Sequence, residues 1–198
     1  MESLKINNFI EILRSKDINT FTFQDFKQLF PSITDAGLSA ALKRLVKTKT
    51  ITRLEKGKFL FLLAKKQPNE YTLANFIYQP SYVSLETALS FYGIIDQFTY
   101  QITSVTTKKT KLKSFEQKEF TYSHIDKKYY TDYHLQDGYL IASFNKSLFD
   151  YYYMTYKGIR SKQNIKLINL NNFQKGDFIK YSKTFQNIKL IEFIKQNI

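Results

Sequence analysis

Apolar residues recur at helical spacing from the start of the chain. Ile6, Phe9, Ile10 and Leu13 form one stripe while Lys5, Asn8, Glu11 and Arg14 stay polar, which predicts a helix over residues 4–15. Thr22, followed three positions later by Asp25, has the form of a capping box. Phe23, Phe26, Leu29 and Phe30 then supply the buried face of a short second helix that Pro31 ends. A third helix starts at Ser32 or Thr34. Leu38, Leu42, Leu45 and Val46 lie on one side of it and Ala36, Ala40, Lys43 and Lys47 about opposite, at ~100° per residue. Ile51-Thr52-Arg53-Leu54 and Phe59-Leu60-Phe61-Leu62 are rich in β-formers and flank Glu55-Lys56-Gly57-Lys58, where Gly57 suits the positive φ of a hairpin turn.

Lys65-Lys66-Gln67-Pro68-Asn69-Glu70 interrupts this pattern with charge, a proline and an amide, and places a boundary near residue 67 between lobes of residues 1–66 and 67–198. Beyond it a short helix is expected over 71–78, and a clearer one capped by Ser84 runs through Leu85, Ala88, Leu89 and Tyr92 to Gly93. Strands follow at 100–106, 118–124, 129–134 and 139–143, the last two joined at Gln136-Asp137-Gly138. A helix over 144–156 ends at Lys157-Gly158. Ile165, Leu167, Ile168 and Leu170 then alternate before helices near 177–184 and 188–196. The expectation is an α+β chain: an N-terminal lobe in the order of a winged helix-turn-helix, then a mixed α/β lobe with a small sheet.

Composition narrows the chemistry. With 43% hydrophobic and 17% aromatic residues the chain folds, and 198 residues suit two small lobes. The lack of cysteine removes disulfides, thiolate metal sites and thiol nucleophiles. No apolar run approaches the ~18 residues of a membrane span, so a cytoplasmic protein without a membrane partner is expected. A net charge of +13 favours a polyanionic partner, although lysine, asparagine and isoleucine are abundant throughout. Residues 1–66 hold 13 basic and 6 acidic side chains, net +7, against 17 and 11, net +6, in the twice-longer remainder.

That asymmetry directs attention to the first lobe. Ser39, Lys43, Arg44 and Lys47 project away from the apolar stripe of the third helix and are candidates for double-stranded DNA, with Arg53, Lys56 and Lys58 of the hairpin placed for phosphates. Arg44 is the candidate for reading guanine through its guanidinium fork. The alternative is a solvated basic face, or a protein-docking module. In the second lobe Lys108, Lys109, Lys111 and Lys113 crowd one stretch near Tyr122, Tyr129, Tyr130 and Tyr133. That mix suits single-stranded nucleic acid, or simply cross-strand packing of the tyrosines. Catalysis finds little footing. His124 and His134 lack carboxylates at metal-ligand spacing, and no glycine-rich phosphate loop exists. Asp96 with Glu116 and Lys118 is the remaining candidate for a metal-dependent nuclease. Neither enzymatic activity, a metal nor a cofactor is expected.

Three segments resemble one family. Ala41-Leu42-Lys43-Arg44-Leu45-Val46 with Ile51-Thr52-Arg53-Leu54-Glu55-Lys56-Gly57-Lys58-Phe59 is similar to the winged helix that opens AbiE-type (abortive-infection) antitoxins. Tyr82-Val83-Ser84-Leu85-Glu86-Thr87-Ala88-Leu89-Ser90-Phe91-Tyr92-Gly93-Ile94-Ile95-Asp96-Gln97 resembles that family's central helix, followed by Val105-Thr106-Thr107-Lys108-Lys109. Ile141-Ala142-Ser143-Phe144-Asn145-Lys146-Ser147-Leu148-Phe149-Asp150 resembles its later helix; Lys146 and Asp150 match, whereas Asn145 and Ser147 depart from a Glu-Lys-Ala pattern. Lys146 and Asp150 stand one helical turn apart, as a local surface pair or as part of a functional patch. The resemblance implies an antitoxin of a type IV toxin–antitoxin system. Its winged lobe would repress its own operon at inverted repeats, and its second lobe would neutralise a nucleotidyltransferase-like toxin without needing a stable complex. A plain transcriptional regulator with a ligand-sensing or oligomerising second lobe is the alternative. Residues 160–198 carry no motif of the family.

Overall fold

A computed structural model describes residues 2–95, 100–161 and 174–198 of the chain. It is mixed α+β and divides into two compact units, Met1–Asn69 and Glu70–Ile198, each with its own hydrophobic core. Gln67 donates its side-chain amide to the carbonyls of Phe61 and Leu62 at 3.2 and 3.1 Å, which ties it to the first unit.

The first unit runs α1 (Glu2–Ser15), β1 (Thr20–Thr22), α2 (Phe23–Leu29), α3 (Asp35–Lys47), β2 (Ile51–Glu55) and β3 (Lys58–Phe61). Local chemistry sets the helix starts. Thr22 Oγ1 accepts from the Asp25 amide at 3.1 Å while Asp25 accepts from the Thr22 amide at 2.8 Å, completing the expected capping box. Thr34 caps α3 through the Gly37 amide. The sheet has the order β1-β3-β2, all antiparallel, with Phe21 opposite Phe59. β1 was not expected; three residues are too few to show an alternation, and the strand exists because β3 offers it partners. Gly57 takes φ 72° in the hairpin turn, and its carbonyl accepts from the Phe23 amide at 2.8 Å, fastening the turn to the start of α2. Beneath lies an aromatic core in which Phe9, Phe21, Phe26, Phe30 and Phe59 approach one another at 4.6–5.5 Å between ring centroids.

The second unit runs α4 (Glu70–Ile77), β4 (Ser81–Val83), α5 (Leu85–Phe91), β5 (Gln101–Thr106), β6 (Lys111–Phe115), β7 (Lys118–His124), a 3-10 turn (Lys127–Tyr129), β8 (Tyr133–Gln136), β9 (Tyr139–Ala142), α6 (Phe144–Tyr156), α7 (Lys175–Lys183) and α8 (Ile188–Gln196). Its sheet is larger than expected, six strands in the order β6-β7-β5-β4-β9-β8. The β5–β7 and β4–β9 pairs are parallel and the others antiparallel. β4 and β6 were missed because β4 is buried throughout and shows no alternation, while β6 is a lysine-bearing edge strand. The strand expected over 129–134 is instead the 3-10 turn followed by β8. Tyr129 turns inward against Phe149, Tyr153 and Phe185, which bends the backbone away from the ladder. The Asp137-Gly138 turn between β8 and β9 forms as expected, with φ 46° and 86°. α7 and α8 contribute Phe178, Leu190 and Ile194 to the core beside α6, so these tail helices complete the fold. Ile165, Leu167, Ile168 and Leu170 lie outside the described residues.

Phe26 is fully buried at the centre of the first unit's aromatic cluster. Phe26→Ala is expected to lower the stability of that unit by about 3–5 kcal/mol, read as a fall in its urea midpoint; a change under about 1 kcal/mol would place the cluster outside the structural core.

Candidate nucleic-acid interface

α3 buries Leu38, Ala41, Leu42 and Leu45 and turns Ser39, Lys43, Arg44 and Lys47 outward. The hairpin rises beside it. Between the two lies an open groove of about 700 Å³ lined by Ser39, Leu42, Lys43 and Val46 from α3, Arg53, Lys56, Gly57 and Phe59 from the hairpin, and Phe23 from α2. Four of the expected residues, Ser39, Lys43, Arg53 and Lys56, therefore come together on one concavity. Lys43, Arg53 and Lys56 are all exposed, so three cations from two elements rim an apolar floor. Arg53 is steadied across the β2 bulge, its Nε donating to the Glu55 carbonyl at 3.3 Å. The Phe23–Gly57 bond holds the hairpin turn beside the helices. Asp35, near the start of α3, pairs with Lys27 at 2.9 Å and leaves the rim positive.

The remaining expected residues sit elsewhere. Lys47 is exposed one turn beyond Lys43 and outside the groove lining. Lys58 is half-buried at the foot of β3, opposite Thr22 and Glu55 in register. Arg44 lines a separate hollow between α1 and α3 with Asn8, Phe9, Gly37, Ala40 and Ala41. One residue along a helix is ~100° of rotation, and that step carries Arg44 off the face that bears Lys43. Of the floor residues, the apolar pattern assigns Phe23, Leu42 and Val46 to buried helix faces and Phe59 to the hairpin, and none of them to an interface. Val46 keeps 38% of its surface exposed, and an exposed branched side chain beside lysines is the signal that marks it.

In the second unit Lys108, Lys109 and Lys111 gather around a hollow with Tyr78, Thr107, Thr110 and His124. The neighbouring tyrosines do not present stacking faces. Tyr122 and Tyr129 are buried, and Tyr130 and Tyr133 pack on Tyr82 at 5.0 and 4.7 Å, which is the packing alternative. Of the nuclease candidates, Asp96 lies outside the described residues, and Lys118 pairs with Glu70 at 2.9 Å and lies over the Tyr100 ring. His124 ends β7 and His134 lies on the β8 hairpin, both exposed.

Lys146 and Asp150 do pair along α6, but in the interior and not on a surface; both side chains are fully buried. Asp150 also accepts from the Tyr82 hydroxyl at 2.9 Å and from Ser84 Oγ at 2.8 Å. The Lys146 ammonium stands 5.2–5.9 Å from the ring centroids of Phe149, Tyr82 and Phe185. Burial pushes the Asp150 carboxyl up and the Lys146 ammonium down from their ordinary ranges, and their mutual attraction opposes both shifts. Burial, with Asp150 alongside, raises the Tyr82 phenol and keeps it a donor. Ser84 was expected to cap α5. It occupies the cap position, yet its hydroxyl is spent on Asp150 and makes no cap bond. The next residue, Leu85, is buried at φ 57°, a left-handed conformation in which a side chain is strained by about 1–2 kcal/mol. Tyr82 and Ser84, two apart where β4 passes into α5, carry the pattern that signals this cluster; their partner across the core does not show in the sequence.

Neither a known family model nor a curated protein matches the chain.

Removing one member of the buried pair leaves the other charge stranded. Asp150→Ala and Lys146→Ala are each expected to destabilise by about 3–5 kcal/mol in denaturant titrations, whereas Lys146→Met/Asp150→Leu should lose much less than their sum. Additive losses would show that the two charges do not depend on each other.

Proposed function

We propose that the first unit is a winged helix that binds double-stranded DNA, and that the chain is the antitoxin and autorepressor of a type IV toxin–antitoxin pair, acting in the cytoplasm without enzymatic turnover. The observation that carries the DNA reading is the groove. Ser39 and Lys43 of α3 share it with Arg53 and Lys56 of the hairpin, so a helix suited to the major groove and a hairpin suited to the adjoining backbone face one concavity. Three exposed cations from two elements rim it, and cations gathered on one concavity supply the phosphate attraction that duplex binding draws on. Lys47 extends the same face by one turn.

The antitoxin part rests on the three family-like segments, above all the one over residues 82–97. The buried cluster fits this reading. Tyr82 and Ser84 of the second segment bind Asp150 of the third, so two of the family-like stretches meet in the core of the second unit. Lys146 and Asp150 accordingly serve the integrity of the antitoxin lobe and do not touch a partner themselves. Partners of the proposal are operator DNA with inverted repeats and a nucleotidyltransferase-like toxin encoded beside this chain.

Gel-shift titration against the upstream region tests the first part. Lys43→Ala, Arg53→Ala and Lys56→Ala should each weaken binding and lower the salt slope by about 1. Arg44→Ala, on the other face, should change it less; binding that survives the three groove changes removes the groove from the interface. For the second part, co-expression with the neighbouring gene product should restore growth. Persistent arrest alongside intact operator binding would leave a plain transcriptional regulator.

A further inference from the structure

The loop that joins β5 to β6 is pinned far more firmly than its composition, Thr107-Lys108-Lys109-Thr110, suggests. The Tyr78 hydroxyl donates to the Lys109 carbonyl at 3.1 Å, and the His124 ring nitrogen Nδ1 bonds the Lys108 carbonyl at 3.0 Å. The Lys108 amide donates to Thr106 Oγ1 and the His124 amide to Thr110 Oγ1, both at 3.1 Å. Tyr78 is itself seated on Tyr122, 5.0 Å between centroids, and its hydroxyl reaches the loop from α4's end. The Lys108 ammonium lies 5.8 Å over the Tyr78 ring.

This pinning fixes the backbone from which Lys108 and Lys109 extend, next to Lys111 at the start of β6. Lys108, Lys109 and Lys111 line a hollow of about 730 Å³ with Tyr78, Thr107, Thr110 and His124, and no carboxylate contributes to its wall. Among the described residues none of the three lysines has an acidic partner. Asp126, outside the wall, faces His124 Nε2 at 3.9 Å and accepts from the Tyr153 hydroxyl. Edge protection accounts for lysines on β6, since charge there discourages strand pairing, but it needs neither Lys108 and Lys109 nor a rigid loop. Lysines carried on a held backbone lose less conformational freedom on meeting an anion than lysines on a loose loop, which is what preorganisation contributes to binding. The hollow is also many times the roughly 30 Å³ of a water molecule and takes several linked tetrahedral anions.

We propose that this loop is a binding site for a polyphosphate chain, the chemistry shared by a nucleoside triphosphate and by consecutive phosphates of a nucleic-acid strand. Lys108, Lys109 and Lys111 neutralise the phosphates, and the Thr107 and Thr110 hydroxyls border them. The site stands on the second unit and does not depend on the DNA-binding reading of the first.

Calorimetric titration of the full chain with inorganic tripolyphosphate tests it. Lys108→Gln/Lys109→Gln/Lys111→Gln should weaken binding about tenfold or more. Lys183→Gln/Lys189→Gln/Lys195→Gln removes the same charge from exposed positions on α7 and α8 and should change it by less than about twofold. Tyr78→Phe, which frees the Lys109 carbonyl without altering charge, should weaken it about threefold. Equal losses in the two lysine triples, or no heat with the unaltered chain, would overturn the site. So would loss of tripolyphosphate binding in Lys43→Ala/Arg53→Ala, which places the anion on the first unit. That pair also separates the readings, because it removes operator binding and should leave this site intact. Competition by a nucleoside triphosphate but not by a single-stranded oligonucleotide identifies the small molecule as the source; the reverse identifies the strand.

Discussion

A lysine and an aspartate sealed from water constrain how the elements of the second unit are arranged. Placing Lys146 and Asp150 in the interior carries a desolvation penalty of several kcal/mol per ion, which their contact alone seldom offsets. Three aromatic rings around the ammonium and two hydroxyls on the carboxylate lower that penalty. Because those partners come from β4, from the start of α5 and from the segment after α7, satisfying the pair requires all of these elements to be in place at once. The cluster therefore acts as a constraint on arrangement more than as a source of stability, as buried polar groups do where a unique packing is selected. It also accounts for Leu85. A left-handed leucine persists only where its surroundings over-determine it, and Ser84 is held on one side by Asp150 and on the other by Thr103, whose hydroxyl donates to the Ser84 carbonyl at 2.7 Å.

The first unit solves a different problem, that of making a shaped surface from few residues. Phenylalanines fill its centre, and β3 takes hydrogen bonds from both sides, so the hairpin is not left as an isolated two-stranded ribbon. Its rigidity is what gives the basic rim meaning. Exposed lysines on a loose hairpin would add net charge only; with Gly57 fastened to Phe23 they become points in a fixed pattern.

The same logic separates the cations of the second unit. Lys118 is paired with Glu70 and Arg160 with Glu86, and both are absorbed into the architecture. Lys108 and Lys109 are left facing solvent from a loop that is nonetheless tied down, beside Lys111 at the start of β6. Position and restraint, more than number, distinguish a binding surface from the background of a strongly basic chain.

Much was legible from sequence because it is local. The cap at Thr22, the start of α3 at Ser32 or Thr34, the Gly57 and Asp137-Gly138 turns and the apolar stripes of α1 and α3 rest on interactions spanning a few residues, and those residues alone determined them, leaving only Thr34 to be chosen over Ser32. The outward placement of Ser39 and Lys43 follows from helical periodicity in the same way. What tertiary structure decided depends on partners far along the chain. β1 and β4 are strands only because β3, β5 and β9 pair with them, and Tyr129 leaves its strand pattern because the core accepts its ring. Arg44 lost the groove to Lys43 through one step of rotation that only the packing of α1 against α3 makes consequential. For Lys146 and Asp150 the sequence determined that they stand one turn apart. Whether that turn faces water or the core was set by Tyr82 and Ser84, more than sixty residues away, because burial is a property of the whole assembly and not of the helix that carries the charge.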